Sequence, residues 1–131
     1  MVGCTSCHTP LPSTVKLSAF GGANFHDPAL YRSLIGRLQY LAITRPKISF
    51  SVHKLAQFVQ TPLECHWRMV KRVLGYLSET ASYGLSLKKE NSMAITAYSD
   101  SDWAGDPDDR KFTSGHCVFL GSNLVSWASR K

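Results

Sequence analysis

Leu74-Gly75-Tyr76-Leu77-Ser78-Glu79-Thr80-Ala81-Ser82-Tyr83-Gly84-Leu85-Ser86-Leu87-Lys88 is the stretch that decides the fold. Up to Leu77, apolar residues recur every three or four positions: Trp67, Val70, Leu74 and Leu77 form the stripe of a predicted helix, with Arg68, Lys71 and Arg72 off it. After Tyr83-Gly84 the spacing becomes two. Leu85 and Leu87 alternate with polar neighbours, then Ala94, Thr96 and Tyr98 alternate with Ile95 and Ala97 as far as Ser99-Asp100. A helix repeats every 3.6 residues and a strand every two, so one change of period at Gly84 predicts an α+β chain with helices first and sheet second.

Upstream, Thr61-Pro62-Leu63-Glu64 joins capping-box spacing to a proline and predicts the start of that helix. Ile48, Val52, Leu55, Ala56 and Val59 mark a helix that opens after Arg45-Pro46 and ends near Gln60. Asp27-Pro28 opens the first helix, whose stripe of Leu30, Tyr31, Leu34, Ile35, Leu38 and Leu41 carries it to about Ile43. Residues 1–26 hold Pro10, Pro12, Gly3, Gly21 and Gly22 without a sustained period, and predict an irregular, loosely packed leader that serves as linker or surface strap. Downstream, residues 115–120 and 124–127 read as strands joined by Gly121-Ser122-Asn123. The expected organisation is a leader over 1–26, a helical unit over 27–83 and an antiparallel sheet over 84–131.

The 131 residues carry 15 Lys and Arg against 9 Asp and Glu, a net charge of +6, an ordinary composition for one domain or two small ones. No window approaches the ~18 apolar residues of a membrane span, and the first ten residues lack the pattern of a secretory signal. The expected setting is cytoplasmic or nuclear, away from membranes, with Cys4, Cys7, Cys65 and Cys117 as reduced thiols. Charge is unevenly placed: residues 1–89 hold eleven basic and three acidic residues, and residues 90–131 hold four and six. In the helical unit Arg32, Arg37, Arg45, Lys47, Lys54, Arg68, Lys71 and Arg72 are interleaved with aromatic residues, a surface that attracts a phosphate backbone. A solvated polar face on an amphipathic bundle is the competing reading.

Five aspartates, Asp100, Asp102, Asp106, Asp108 and Asp109, fall within ten positions, and no acid follows Asp109. The run reads either as a solvated turn or, at Asp100 and Asp102, as a place for Mg2+, which takes one or two carboxylates plus water and phosphate oxygens. Phosphodiester cleavage by two metals needs carboxylates converging from several elements, and one strand end does not supply them. Cys4-x-x-Cys7-His8 matches a haem-attachment pattern in a leader with no helical cage around it, and Cys65-His66 lacks the spacing of a second zinc pair. His26, His53, His66 and His116 read as structural, and the chain has neither a G-x-S-x-G elbow nor a phosphate-loop glycine cluster.

Taken in order, Tyr31-Arg32-Ser33-Leu34-Ile35-Gly36, Leu38-Gln39-Tyr40-Leu41, Thr44-Arg45-Pro46, His66-Trp67, Val70-Lys71-Arg72-Val73-Leu74-Gly75-Tyr76-Leu77, Tyr98-Ser99-Asp100-Ser101-Asp102-Trp103-Ala104-Gly105 and Ser126-Trp127-Ala128-Ser129-Arg130-Lys131 resemble the Pol polyprotein of copia-type LTR retrotransposons of plants. The resemblance covers nearly the whole chain from about Cys4. It implies that the first half corresponds to the end of the reverse transcriptase and its connection, and that the strands from about Met93 open an RNase H-like sheet. Asp100 then aligns with the first metal-binding aspartate of RNase H, with Asp102 beside it, and Mg2+ is the parent family's cofactor. The family's polymerase motif lies upstream of this chain, and its remaining RNase H carboxylates lie downstream of Lys131. The expectation is therefore a polyprotein fragment without catalysis or cofactor of its own, begun inside the frame of a decayed element. An RNA·DNA hybrid or other nucleic acid is the expected partner through Arg68, Lys71 and Arg72, and self-association is expected through the uncovered sheet.

Overall fold

Helices α1 (Pro28–Leu41), α2 (Pro46–Ala56) and α3 (Glu64–Glu79) precede strands β1 (Ile95–Asp102), β2 (Thr113–Leu120) and β3 (Asn123–Arg130), the α+β order that the change of period predicts. The computed structural model describes residues 7–12, 14–102 and 108–130. The chain divides into two units, Met1–Tyr83 and Gly84–Lys131.

Each helix of the first unit starts and stops for a local reason. The Asp27 carboxylate accepts the Leu30 amide at 2.9 Å and Pro28 occupies the first turn, so α1 begins where its sequence signal lies. It stops at Leu41, short of Ile43. The next amides turn back by three residues (Ile43 to Tyr40, Thr44 to Leu41), and Arg45, before a proline, leaves the helical region at φ −126° and ψ 77°. α2 likewise tightens at its end, with Gln57 and Phe58 donating to Lys54 and Leu55, and finishes at Ala56 rather than near Gln60.

α3 departs from expectation at its start. Its cap is Leu63, not Thr61. The Leu63 amide donates to His66 Nδ1 at 3.0 Å, and the Glu64 amide donates to the Ala23 carbonyl at 2.9 Å. Phe25 N–H in turn donates to the Pro62 carbonyl at 2.8 Å, so the leader supplies main-chain partners that a threonine side chain was expected to supply.

The expected looseness of residues 1–26 is corrected for residues 14–26. Leu17 and Phe25 are buried in the core with Tyr31, Ile35, Ile48, Leu55 and Val70, and the Phe25 ring stacks on Trp67 with centroids 4.5 Å apart. The segment is irregular in backbone yet packed. At the centre of the core the Tyr31 hydroxyl donates to the Leu55 carbonyl at 2.8 Å, and burial, with Cys65 as a lesser cause, pushes the phenol far above its ordinary value. Arg45 Nη2 donates to Thr80 Oγ1 at 2.6 Å, and Thr80 Oγ1 donates to the Tyr76 carbonyl, which ties the start of α2 to the end of α3.

In the second unit the strands pair antiparallel in the order β1-β2-β3. The expected strand character of Leu85 and Leu87 is absent, because side chains hold that segment. The Asn123 amide accepts from Lys88 N at 2.7 Å and donates to Lys88 O at 2.8 Å, while the Glu90 carboxylate accepts from the Ser122 amide at 2.7 Å and from its hydroxyl. The hairpin loop shortens to Gly121-Ser122, with Gly121 at φ 60° and its amide on the Ala94 carbonyl. None of the described residues from Gly84 onward is buried, and β1 is exposed along its whole length.

Candidate functional site

Successive strand side chains alternate between faces, so Tyr98, Asp100 and Asp102 share one face of β1. The register then sets their neighbours on that face. Tyr98 lies beside Cys117 and Cys117 beside Trp127, Asp100 lies beside Gly115 and Gly115 beside Ser129, and Asp102 lies beside Thr113. The Tyr98 and Phe119 rings meet edge to face with centroids 6.1 Å apart, which confirms the shared face. The position beside Asp100 carries no side chain, because Gly115 occupies it.

β1 runs two residues beyond the expected end, so Asp100 stands inside the strand and Asp102 closes it. Both carboxylates are exposed, and Asp100 Oδ1 accepts the Ser101 amide at 2.8 Å. Among the described residues the loop carboxylates do not join them as a metal-binding cluster; Asp109 Oδ1 accepts the Lys111 amide at 3.1 Å and its Oδ2 lies 3.5 Å from Lys111 Nζ. Asp106 lies outside the described residues. Two carboxylates one residue apart on an exposed face suit a single hard cation that keeps most of its water. They do not suit a pair of cations, and among the described residues no group of three or more His, Cys, Asp or Glu is placed to hold a metal.

The alternative metal readings fare differently. Cys4 lies outside the described residues. His66 is fully buried, stacked on Phe58 at 3.9 Å, with Nδ1 on the Leu63 amide and Nε2 2.9 Å from the Ser18 carbonyl. Both ring nitrogens serve the fold, which is the structural role expected of this histidine. No sequence signal announced that His66, at the third position of α3, caps the helix with its ring, since the capping-box pattern names Glu or Gln there.

Arg68, Lys71 and Arg72, spaced three and four apart, lie on the face of α3 opposite Val70, Val73 and Leu77. Arg68 and Lys71 are exposed. Arg72 is half-buried: Nη2 donates to Thr9 Oγ1 at 3.0 Å, while Nε is buried with no hydrogen-bond partner among the described residues. Two other basic residues of the helical unit, Arg45 and Lys54, are engaged locally. Arg45 is bonded to Thr80, and Lys54 Nζ sits 5.6 Å above the Phe50 ring. Among the described residues, no helix is long and apolar enough to cross a membrane.

The chain is similar to the retrovirus-related Pol polyprotein from transposon RE1 of Arabidopsis thaliana, with 46% identity over 131 residues, 100% of this chain and 9% of that polyprotein. It is equally similar to the RE2 Pol polyprotein of the same plant, at 46% over 123 residues, 94% of this chain and 8% of the relative. An uncharacterized mitochondrial protein of Arabidopsis thaliana is 39% identical over 131 residues, 100% of this chain and 54% of its own length. The chain thus spans less than a tenth of the two polyproteins. No family model and no solved structure matches it.

Proposed function

We propose that the chain, which is similar along its length to part of the retrovirus-related Pol polyproteins of plant transposons, is the copia-type segment in which reverse transcriptase passes into RNase H, a segment that does not cleave nucleic acid on its own. The observation that carries this reading is the placement of Asp100 and Asp102 side by side on one exposed face of β1. That is where the resemblance puts the first metal-binding aspartate. It is also one pair of carboxylates from one strand, where two-metal cleavage needs several elements to converge. Asp100 and Asp102 would hold Mg2+, which supplies charge neutralisation next to a phosphate. Their own contribution is to present carboxylate oxygens beside Gly115, where no side chain blocks the approach of a backbone.

The outer face of α3 favours a second, compatible reading: the helical unit holds nucleic acid without chemistry. Arg68, Lys71 and Arg72 within one turn and a third give a row of cations that meets phosphates regardless of base sequence. Incubating the chain with an end-labelled RNA·DNA hybrid in Mg2+ tests both parts. The expected result is a shifted but intact hybrid, with the shift weakened by Arg68→Gln/Lys71→Gln. Cleavage that disappears in Asp100→Asn would overturn the non-catalytic reading, and binding unchanged by the double substitution would remove the role of α3.

A further inference from the structure

The irregular leader also touches the outer face of α3 through two side-chain contacts. Thr9 Oγ1 accepts from Arg72 Nη2 at 3.0 Å, and His8 Nδ1 lies 3.2 Å from Glu79 Oε1. The two contacts flank Gly75, which is buried although it lies on the outer face of the helix. The leader is therefore laid over this part of α3 as a strap. Its attachment is incomplete: the Nε–H and Nη2–H of a guanidinium form one edge that suits two acceptor oxygens, and only Nη2 has one. A hydroxyl offers a single oxygen to that edge. A phosphate on the same oxygen offers three more.

Thr9 is exposed and is followed directly by Pro10 in a segment without regular secondary structure. This is the minimal substrate pattern of a proline-directed protein kinase, a threonine followed by proline outside helix and sheet. The chain has one other Thr-Pro pair, Thr61-Pro62, and it is unsuited. Pro62 is fully buried and its carbonyl is bonded by Phe25, so that segment cannot enter a kinase cleft without opening the core.

We propose that Thr9 is a phosphorylation site for a proline-directed protein kinase, and that the Nε/Nη2 edge of Arg72 receives the phosphate. In the step, Thr9 Oγ1 attacks the γ-phosphorus of ATP. The new O–P bond forms as the bond between the γ-phosphorus and the β,γ-bridging oxygen breaks, ADP leaves, and the hydroxyl proton passes to the kinase's base. The product carries a charge of about −1.5 to −2 at neutral pH, and charge-assisted bonds to an arginine are what dock a loop in such cases. The modified strap is held on α3 more tightly than the unmodified one, and Arg72 is withdrawn from other anions. Glu79, two turns along α3 from Arg72, is itself engaged by His8 at 3.2 Å.

The test uses the full chain, a proline-directed kinase and radiolabelled ATP, with the site located by fragment mass spectrometry. One phosphate at Thr9, lost in Thr9→Ala and kept in Thr61→Ala, is the expected result; modification at Thr61 alone, or none, would overturn the assignment. The Arg72 contact is read by phosphorus-31 titration of the modified chain. Its second ionisation, ordinarily near pH ~6, is expected at least about half a unit lower in the native chain than in the same chain in urea, the effect of an adjacent cation. Arg72→Gln is expected to abolish that difference. Equal midpoints in native and urea-unfolded chain would overturn the contact even if Arg72→Gln failed to fold.

Discussion

Replacing His66 by alanine tests how the first unit is held together. The ring is fully buried, its Nδ1 accepts the Leu63 amide, and it therefore carries its proton on Nε2, which donates to the Ser18 carbonyl. His66→Ala deletes both bonds and leaves an amide and a carbonyl without those partners, at about 1 kcal/mol for each bond and more where the orphaned group stays dry. It also removes a ring stacked on Phe58 at 3.9 Å; large-to-small changes at buried aromatic sites cost about 3–5 kcal/mol. A total of about 5–7 kcal/mol is expected, and at about 4–8 °C per kcal/mol for a domain of this size the midpoint of thermal unfolding should fall by more than about 20 °C. His66→Gln separates bonding from packing, because glutamine at this position of a helix reaches back to the cap amide. It should retain half or more of the lost stability. Urea unfolding followed by circular dichroism at 222 nm gives both values. A cost below about 1 kcal/mol for His66→Ala would refute the account of how α3 and the leader are joined.

Glu90 gives a pH prediction. Bonds from the Ser122 side chain and backbone hold its carboxyl below the ordinary glutamate range. A lowered native value means that the clamp on the hairpin is fully present above the unfolded value of about 4.3 and is lost as pH falls through the native one. The Ser122 amide shift should therefore titrate with a midpoint below about 4.3 and lose that titration in Glu90→Gln; a midpoint at or above the ordinary value would contradict it. Gly121→Ala should break the same clamp, since φ is 60° and an added Cβ falls on the Glu90 carboxylate. Strain of about 1–3 kcal/mol is expected, visible as loss of the Lys88 and Ser122 amide protection from hydrogen exchange, and wild-type protection would count against it. Arg45→Met should cost about 1 kcal/mol in urea unfolding through loss of the Thr80 bond, and an unchanged midpoint would show that bond to be incidental.

The elements that depend on period were legible. Stripes at 3.6 gave three helices and alternation gave the strands around Tyr98, Cys117 and Trp127, because burial or pairing selects those spacings directly. The face shared by Asp100 and Asp102 was not, because the alternation reads as ending at Asp100 whereas pairing with β2 carries β1 on to Asp102. What escaped depends on partners far apart in sequence. Leu17 and Phe25 are isolated apolar residues whose place in the core is set by main-chain bonds from residues 23–25 to residues 62–64. Leu85 and Leu87 alternate like a strand, but the Asn123 side chain takes up the backbone of Lys88 beside them. Arg45 and Arg72 looked like free cations, yet each is bonded to a hydroxyl 35 or 63 residues away.

The salt dependence of binding to a fluorescent RNA·DNA hybrid, measured by anisotropy in Mg2+ with the same samples run afterwards on a denaturing gel, tests the central claim most directly. Three phosphate contacts from Arg68, Lys71 and Arg72 correspond to a slope of log affinity on log salt of about −2.7, a loss of about 40-fold between 50 and 200 mM salt. The account predicts a slope near that value, one that becomes shallower by about 0.9 for each of the three residues neutralised, with the hybrid uncut. A salt-independent affinity, or a hybrid cut by the wild-type chain and spared by Asp100→Asn, would contradict it.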